Sequence, residues 1–240
     1  MNALDQPDLE AVRSGVLPAA SAVRLPLSQY HPLRPMRNIL LAAVATALVA
    51  SVPLSAQIAE RVVRTKIDGV DVIAYPTGVK DVVTIHGSVP AGDAFAGEGN
   101  VAVPTLVGML LDKGTTTEDQ FAIAEKLERV GATISFGVGT QMTTISAKCL
   151  RKDVPLVISL IAEQLRSPAF APEELEKVKK QFAGELQRNL ESTDYQAEDA
   201  FTRAIYPVGH PNRQPPPAEM LAAIKSATLD DVKAFHAKYY

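Results

Sequence analysis

Val103-Pro104-Thr105-Leu106-Val107-Gly108-Met109-Leu110-Leu111-Asp112-Lys113-Gly114-Thr115 reads as a helix that starts near Pro104 and ends in a Lys-Gly-Thr turn. Proline is tolerated in a first helical turn, because its missing N–H would be unpaired there anyway. Before this stretch, residues 61–67 (RVVRTKI) and 70–75 (VDVIAY) predict two strands joined by Asp68-Gly69, a strong two-residue hairpin signal. Residues 81–89 predict a third strand, and the Gly/Ala-rich stretch 90–100 a loop.

After it, Thr117-Glu118-Asp119 predicts the cap of a helix running to about Val130, where Gly131 stops it. Residues 132–137 and 142–150 alternate as a second hairpin turning at 138–140. A helix is expected over 153–165, apolar at Leu156, Val157, Leu160 and Ile161, and ended by Ser167-Pro168. Pro172-Glu173-Glu174 opens a long helix with an acidic first turn, which suits the helix dipole. Its apolar stripe is Leu175, Val178, Phe182, Leu186 and Leu190. More helix is expected over 195–205, then a loop with five Pro between Pro207 and Pro217, then helices over 218–226 and 229–240, the last capped by Thr228. Hairpins alternating with helix pairs predict an α+β fold, a mostly antiparallel sheet with helices packed on one face.

Bulk properties narrow the function. With 240 residues, net charge −3 and no basic cluster, the chain does not read as a nucleic-acid binder. Cys149 is alone, which excludes an intrachain disulfide, and its neighbours Ala147 and Leu150 suggest a buried structural thiol. Met36 and Arg37, the apolar run 39–50 and the small residues of 51–56 have the layout of a secretory signal peptide spanning 36–56, cleaved after Ala56 or Ala50. The run is short for a membrane span, which needs about 20 apolar residues; an uncleaved anchor is the alternative. Residues 1–35 have no sustained period and are expected to be a disordered or mis-annotated extension. The expected location is periplasmic or secreted, with no stable membrane anchor after signal removal.

Taken in order, the pieces from 61 to 240 resemble one unit of the pitrilysin/insulinase family of zinc metallopeptidases. The opening hairpin with Thr77-Gly78, the strand at 82–88, Leu110 to Thr116, the helix exit Ala124 to Ala132, Ser167-Pro168-Ala169-Phe170 leading into Pro172-Glu173-Glu174-Leu175-Glu176-Lys177, and Tyr206 to Pro211 all arrive in family order. The family's metal helix carries His-x-x-Glu-His, with two His at i and i+4 on zinc and the Glu activating the bound water. Aligned on Lys113-Gly114-Thr115, those positions fall on Thr105, Gly108 and Met109. Two Glu seven residues apart follow on the family's long helix, and here they correspond to Val178 and Glu185. Seven residues bring two side chains within about 20° of one another around a helix.

One carboxylate without its His partners cannot hold catalytic zinc, which needs three protein ligands. The resemblance therefore implies a degenerate member in which no residue is assigned as catalytic, cofactor-binding or metal-ligating. His86, His210 and His236 have no metal-ligand spacing, and His86 lies nearest the expected cleft. Residues 57–240 are expected to form an insulinase-family N-terminal-type domain, truncated where the family continues into another strand. The implied partners are a zinc-bearing homologous subunit, or second half of the same protein, and an unfolded peptide. Two alternatives stay open: an active zinc endopeptidase with unrecognised ligands, and a scaffold unrelated to proteolysis.

Overall fold

The computed structural model describes residues 61–240. The expected extension (1–35) and signal peptide (36–56) lie outside them. The described residues divide into two compact units after Pro76.

The first unit contains a hairpin of β1 (Val63–Ile67) and β2 (Val70–Ala74). Asp68 and Gly69 both have positive φ, 48° and 89°, as the tight turn with matching twist requires. The register runs from Val63↔Ala74 to Ile67↔Val70.

The second unit is built on three antiparallel strands in the order β3-β5-β4, with β3 at Val82–Val89, β4 at Thr133–Val138 and β5 at Thr143–Leu150. The period-2 alternation of β5 decides which face is covered. Ile145, Ala147 and Cys149 are buried, while Thr144 and Lys148 point to the exposed face. Helix α3 (Val154–Arg166) lays Val157 and Ile161 on the buried face.

A second apolar cluster surrounds α1 (Val103–Leu110). Its Leu106, Val107 and Leu110 meet Leu175, Val178 and Leu186 of α4 (Pro172–Asn189), Ile224 of α6 (Pro217–Ser226), and Val232 and Phe235 of α7 (Leu229–Tyr239). The α+β architecture expected from the sequence is the one observed.

Local chemistry sets most boundaries. The Asp119 carboxylate accepts from the N–H groups of Phe121 and Ala122 and starts α2 (Gln120–Val130), and Gly131 ends it at φ 62°. Thr228 and Asp231 form a reciprocal capping box on α7. Helix α5 (Thr193–Ile205) begins two residues before the expected 195, because the Ser192 hydroxyl accepts from Tyr195 N and moves the cap upstream. No residue of α5 is buried. No helix among the described residues is long and apolar enough to cross a membrane.

The turn after α1 is tied to α3 by one carboxylate. Thr115 Oγ1 donates to Glu163 Oε1 at 2.8 Å, and Thr117 Oγ1 donates to the same oxygen. These bonds, Thr117 foremost, hold Glu163 below the usual carboxylate range. A depressed native value means the contribution to stability is present above the unfolded value of about 4.3 and lost as pH falls through the native value. Glu163→Gln is therefore expected to lower Tm at pH 7 and to melt with the wild type near pH 3. Thermal melts at the two pH values check this; a Tm gap that does not narrow in acid would discard the latch.

Candidate functional site

The helix that would carry a metal motif is held by an unusually close backbone approach. The segment after β3 packs on the β4–β5 turn, with Asp93 N donating to Gly139 O at 3.0 Å and Ala94 N to Thr140 O at 2.8 Å. A Cβ on Gly92 would meet Gly139 O at 2.3 Å, so glycine is required there. Thr143 Oγ1 donates to Ala91 O at 2.8 Å, which leaves the Tyr240 hydroxyl to donate to Thr143 Oγ1 across 2.7 Å.

This seating brings Asp93 to the first motif position. Thr105 Oγ1 donates to Asp93 Oδ1 at 2.9 Å. Burial pushes the Asp93 carboxyl above its usual range, and the Thr105 bond opposes this in part. Because the native state holds the proton more tightly than the unfolded chain, full stability persists below the ordinary aspartate value of about 3.9. It is lost as pH rises through the raised native value. Asp93→Asn keeps an oxygen for Thr105 and removes the charge. Its Tm is expected to exceed that of the wild type at pH 7 and to match it at pH 3.5, as paired melts would reveal. Equal Tm at both pH values would mean the carboxylate is not strained by its surroundings.

The second position, Gly108, is buried against β4. A Cβ there would lie 2.2 Å from Val138 Cγ2 and 3.7 Å from Val138 Cβ. Heavy atoms do not approach so closely, so any side chain at 108 requires Val138 to shift its Cγ2 methyl. Met109, the third position, is half-buried and packs against the apolar cluster around α1. On α4, Val178 is 1% exposed inside that cluster. Glu185, seven residues on, is exposed and lines a cavity of about 210 Å³ with Phe182, Leu186, Tyr195 and Met220. The two positions share a helix face but not an environment.

Tetrahedral zinc asks for three nitrogen, sulfur or carboxylate donors. The positions on α1 supply a hydroxyl already committed to Asp93, a hydrogen atom and a packed thioether. Among the described residues, no three His, Cys, Asp or Glu side chains gather as a metal-binding group. These residues do not fit the ion.

Each of the other candidates has a local partner. His86 Nδ1 lies 3.2 Å from Ser146 Oγ on the exposed sheet face, in the register His86↔Ser146↔Ser135. His210 stacks on Tyr206 with centroids 4.4 Å apart, and its Nδ1 accepts from Asn212 N at 3.1 Å. Arg213 completes that loop by donating to the carbonyls of Arg203 and Tyr206. His236 Nε2 donates to Leu165 O at 2.8 Å, and the ring packs on Phe170 and Tyr240. Cys149 is buried, and burial pushes its thiol up, away from a nucleophilic thiolate. A larger, more open hollow of about 380 Å³ lies along Lys113–Phe121, and none of positions 105, 108, 109, 178 or 185 lines it.

Sequence reasoning did not reach Asp93, Val138 or the cavity beside Glu185. Asp93 falls in the stretch expected as a loop, where the structure forms a short 3-10 helix over Asp93–Ala96, and Val138 lies 30 residues from Gly108. Only the unexpected Gly inside an apolar helix signalled a close packing partner.

Comparison with known proteins supplies the frame. Residues 72–214 match the family described as Insulinase (Peptidase family M16). An uncharacterized zinc protease of Rickettsia felis is 22% identical over 147 residues, which is 60% of this chain and 36% of that protein. The mitochondrial-processing peptidase subunit alpha-1 of Dictyostelium discoideum is 26% identical over 108 residues, 45% of this chain and 16% of that one. The chain thus spans little more than a third of the first relative and less of the second. Among solved structures, a peptidase M16 inactive domain from Pseudomonas fluorescens superposes with TM-score 0.67 at 23% identity, covering 75% of this chain and 43% of that one. The periplasmic protease PqqL from Escherichia coli also gives 0.67, at 16% identity, over 75% of this chain and 21% of that one. At these identities the superpositions establish a shared fold, and the family match over most of the second unit establishes descent. The chain belongs to the insulinase family, peptidase family M16.

Proposed function

We propose that this chain is an exported, non-catalytic member of the family that forms one wall of a peptide-enclosing clamshell and works beside a zinc-bearing half. The observation that carries the reading is the seating of Gly108 on Val138, with a Cβ-to-Cγ2 separation of 2.2 Å for any larger residue. A lost ligand could be a single substitution; a scaffold closed over the space of the catalytic carboxylate is a wall rather than a site. Thr105 bound to Asp93 and Val178 sealed in the apolar cluster support the same reading. The chain's coverage of little more than a third of its zinc-protease relative supports a second half, on this polypeptide or another. Export is supported by the signal-like segment 36–56 and by a structural neighbour that is itself periplasmic.

The test combines metal analysis with reconstitution. The purified chain is expected to carry no stoichiometric zinc and to cleave no unfolded peptide alone. Mixed with a zinc-bearing homologue, it is expected to raise that homologue's peptide hydrolysis. Stoichiometric zinc that disappears in Glu185→Gln, together with peptide hydrolysis by the chain alone, would instead make it an active peptidase. Tight association without any effect on hydrolysis would make it a scaffold.

A further inference from the structure

The cavity beside Glu185 lies between the C-terminal half of α4, the start of α5 and the Pro-rich approach to α6. Its lining divides by depth. Phe182, Leu186, Tyr195, Pro215, Pro217 and Met220 are buried or half-buried, whereas Glu185, Asn189 and Gln214 are exposed. The interior is therefore apolar and aromatic, and the mouth is polar with one negative charge. At about 210 Å³ it is smaller than the roughly 300–1,000 Å³ typical of small-molecule sites. Its size suits a single side chain.

The charge at the mouth is uncommitted. Among the described residues, no Lys, Arg or His nitrogen lies within ion-pair distance of Glu185. Lys179 is held by Glu176 and the Ala227 carbonyl and Arg203 by Asp199; Arg188, one turn on from Glu185, folds toward Gly184 and forms no ion pair with Glu185. The surrounding stretch is acidic, with Glu191, Asp194, Glu198 and Asp199 following Glu185, against Arg188 and Arg203. A long side chain with an apolar stem and a cationic head matches both parts, stem inside and head at the rim.

We propose that this cavity receives a lysine or arginine side chain of an extended peptide held by the assembly, with Glu185 pairing the cationic head; this rests on the peptide-enclosing reading above. Glu185 then acts as a selector of basic residues in place of a metal ligand. Because an exposed ion pair contributes modestly, the expected discrimination is several-fold.

Met220 lines the cavity and offers a local reporter. The full chain is labelled at its methionine methyl groups, the Met220 resonance is assigned with Met220→Leu, and three capped pentaglycine-type peptides are titrated in, with arginine, its neutral isostere citrulline, or norleucine at the centre. The arginine peptide is expected to shift the Met220 methyl with about fivefold higher affinity than the citrulline peptide. Glu185→Gln, a surface change that leaves packing intact, is expected to erase that preference while norleucine binding is unchanged. Equal affinity for arginine and citrulline overturns the proposal, as does a preference that survives Glu185→Gln or a Met220 methyl that no peptide moves. A norleucine peptide that binds best also overturns it, leaving an apolar side-chain pocket and the peptide-enclosing reading intact. Failure of the mixed-chain hydrolysis with a positive Met220 titration strikes the clamshell reading alone.

Discussion

Gly108→Glu, the change that returns the family's catalytic carboxylate, is expected to destabilise the protein by about 3 kcal/mol. Overpacking a filled site costs roughly 1–3 kcal/mol, and a buried carboxylate without partners adds a comparable amount. The better helix propensity of Glu over Gly returns less than about 1 kcal/mol. The clash has one named origin, Val138 Cγ2, which would stand 2.2 Å from the new Cβ, while Val138 Cβ stands at 3.7 Å. Val138→Ala removes the first atom and keeps the second. In the double variant, part of the loss is therefore expected to return, with a coupling of about 1 kcal/mol or more between neighbours in direct contact. Urea unfolding of the four proteins measures the cycle. Wild-type stability for Gly108→Glu, or strict additivity with Val138→Ala, would refute the idea that β4 closes this position. The same cycle bears on function: restoring His at 105 and 109 without relieving Val138 is expected to give no peptidase.

Val178→Glu, the other return to a family carboxylate, is expected to cost about 3–5 kcal/mol at neutral pH, the penalty for an uncompensated buried charge. Val178 is 1% exposed among Leu175, Leu186, Ile224, Val232 and Phe235. Against a total stability of about 5–15 kcal/mol for a domain, that loss removes a large share of the margin and is expected as a clear drop in Tm. The penalty has a pH signature. Burial raises the native value of an introduced Glu above the unfolded value near about 4.3. The cost of the charge is thus absent below that value and grows as pH rises through the raised one. Melts at pH 4 and pH 8 are expected to diverge from the wild type far more at pH 8. A variant equally stable at both would mean that the new carboxylate finds a donor or reaches solvent, and that the old site is still partly open.

Both changes would be harmless in a scaffold that had merely lost its ligands. The expected damage follows because both positions are packed by neighbouring elements: β4 at Gly108, and the α6–α7 pair around Val178. Thr105, aligned with the first His of the motif, likewise has its hydroxyl engaged by Asp93.

Much of this was legible in the residues. Asp68-Gly69 specified the first hairpin, since two successive positive φ angles suit Asp and Gly and few other pairs. Asp119, Gly131, Pro172 and Thr228 marked helix ends because capping is a contest among groups within four residues of each other. The alternation over 142–150 marked a strand and Cys149 as buried, and the structure puts Ile145 and Ala147 on the same covered face. Where local signals compete, the boundary moves: the Ser192 hydroxyl captures the N–H of Tyr195, and α5 starts at Thr193 rather than at the expected 195. Asp93 and the cavity at Glu185 gave no signal, because each depends on how successive segments fold back on one another rather than on a pattern within one element.

The sequence by itself determined which donors exist: a hydroxyl, a hydrogen and a thioether where the family has His, Glu and His, and a single surviving carboxylate at Glu185. It also determined the face on which Val178 and Glu185 lie, since helical period is a local property. Only the tertiary structure decided that Val178 is sealed while Glu185 opens on a cavity, and that Gly108 carries the weight of Val138. Angular position follows from backbone hydrogen bonding within a turn, but depth and contact depend on where other elements end, and that is fixed by packing across long sequence separations.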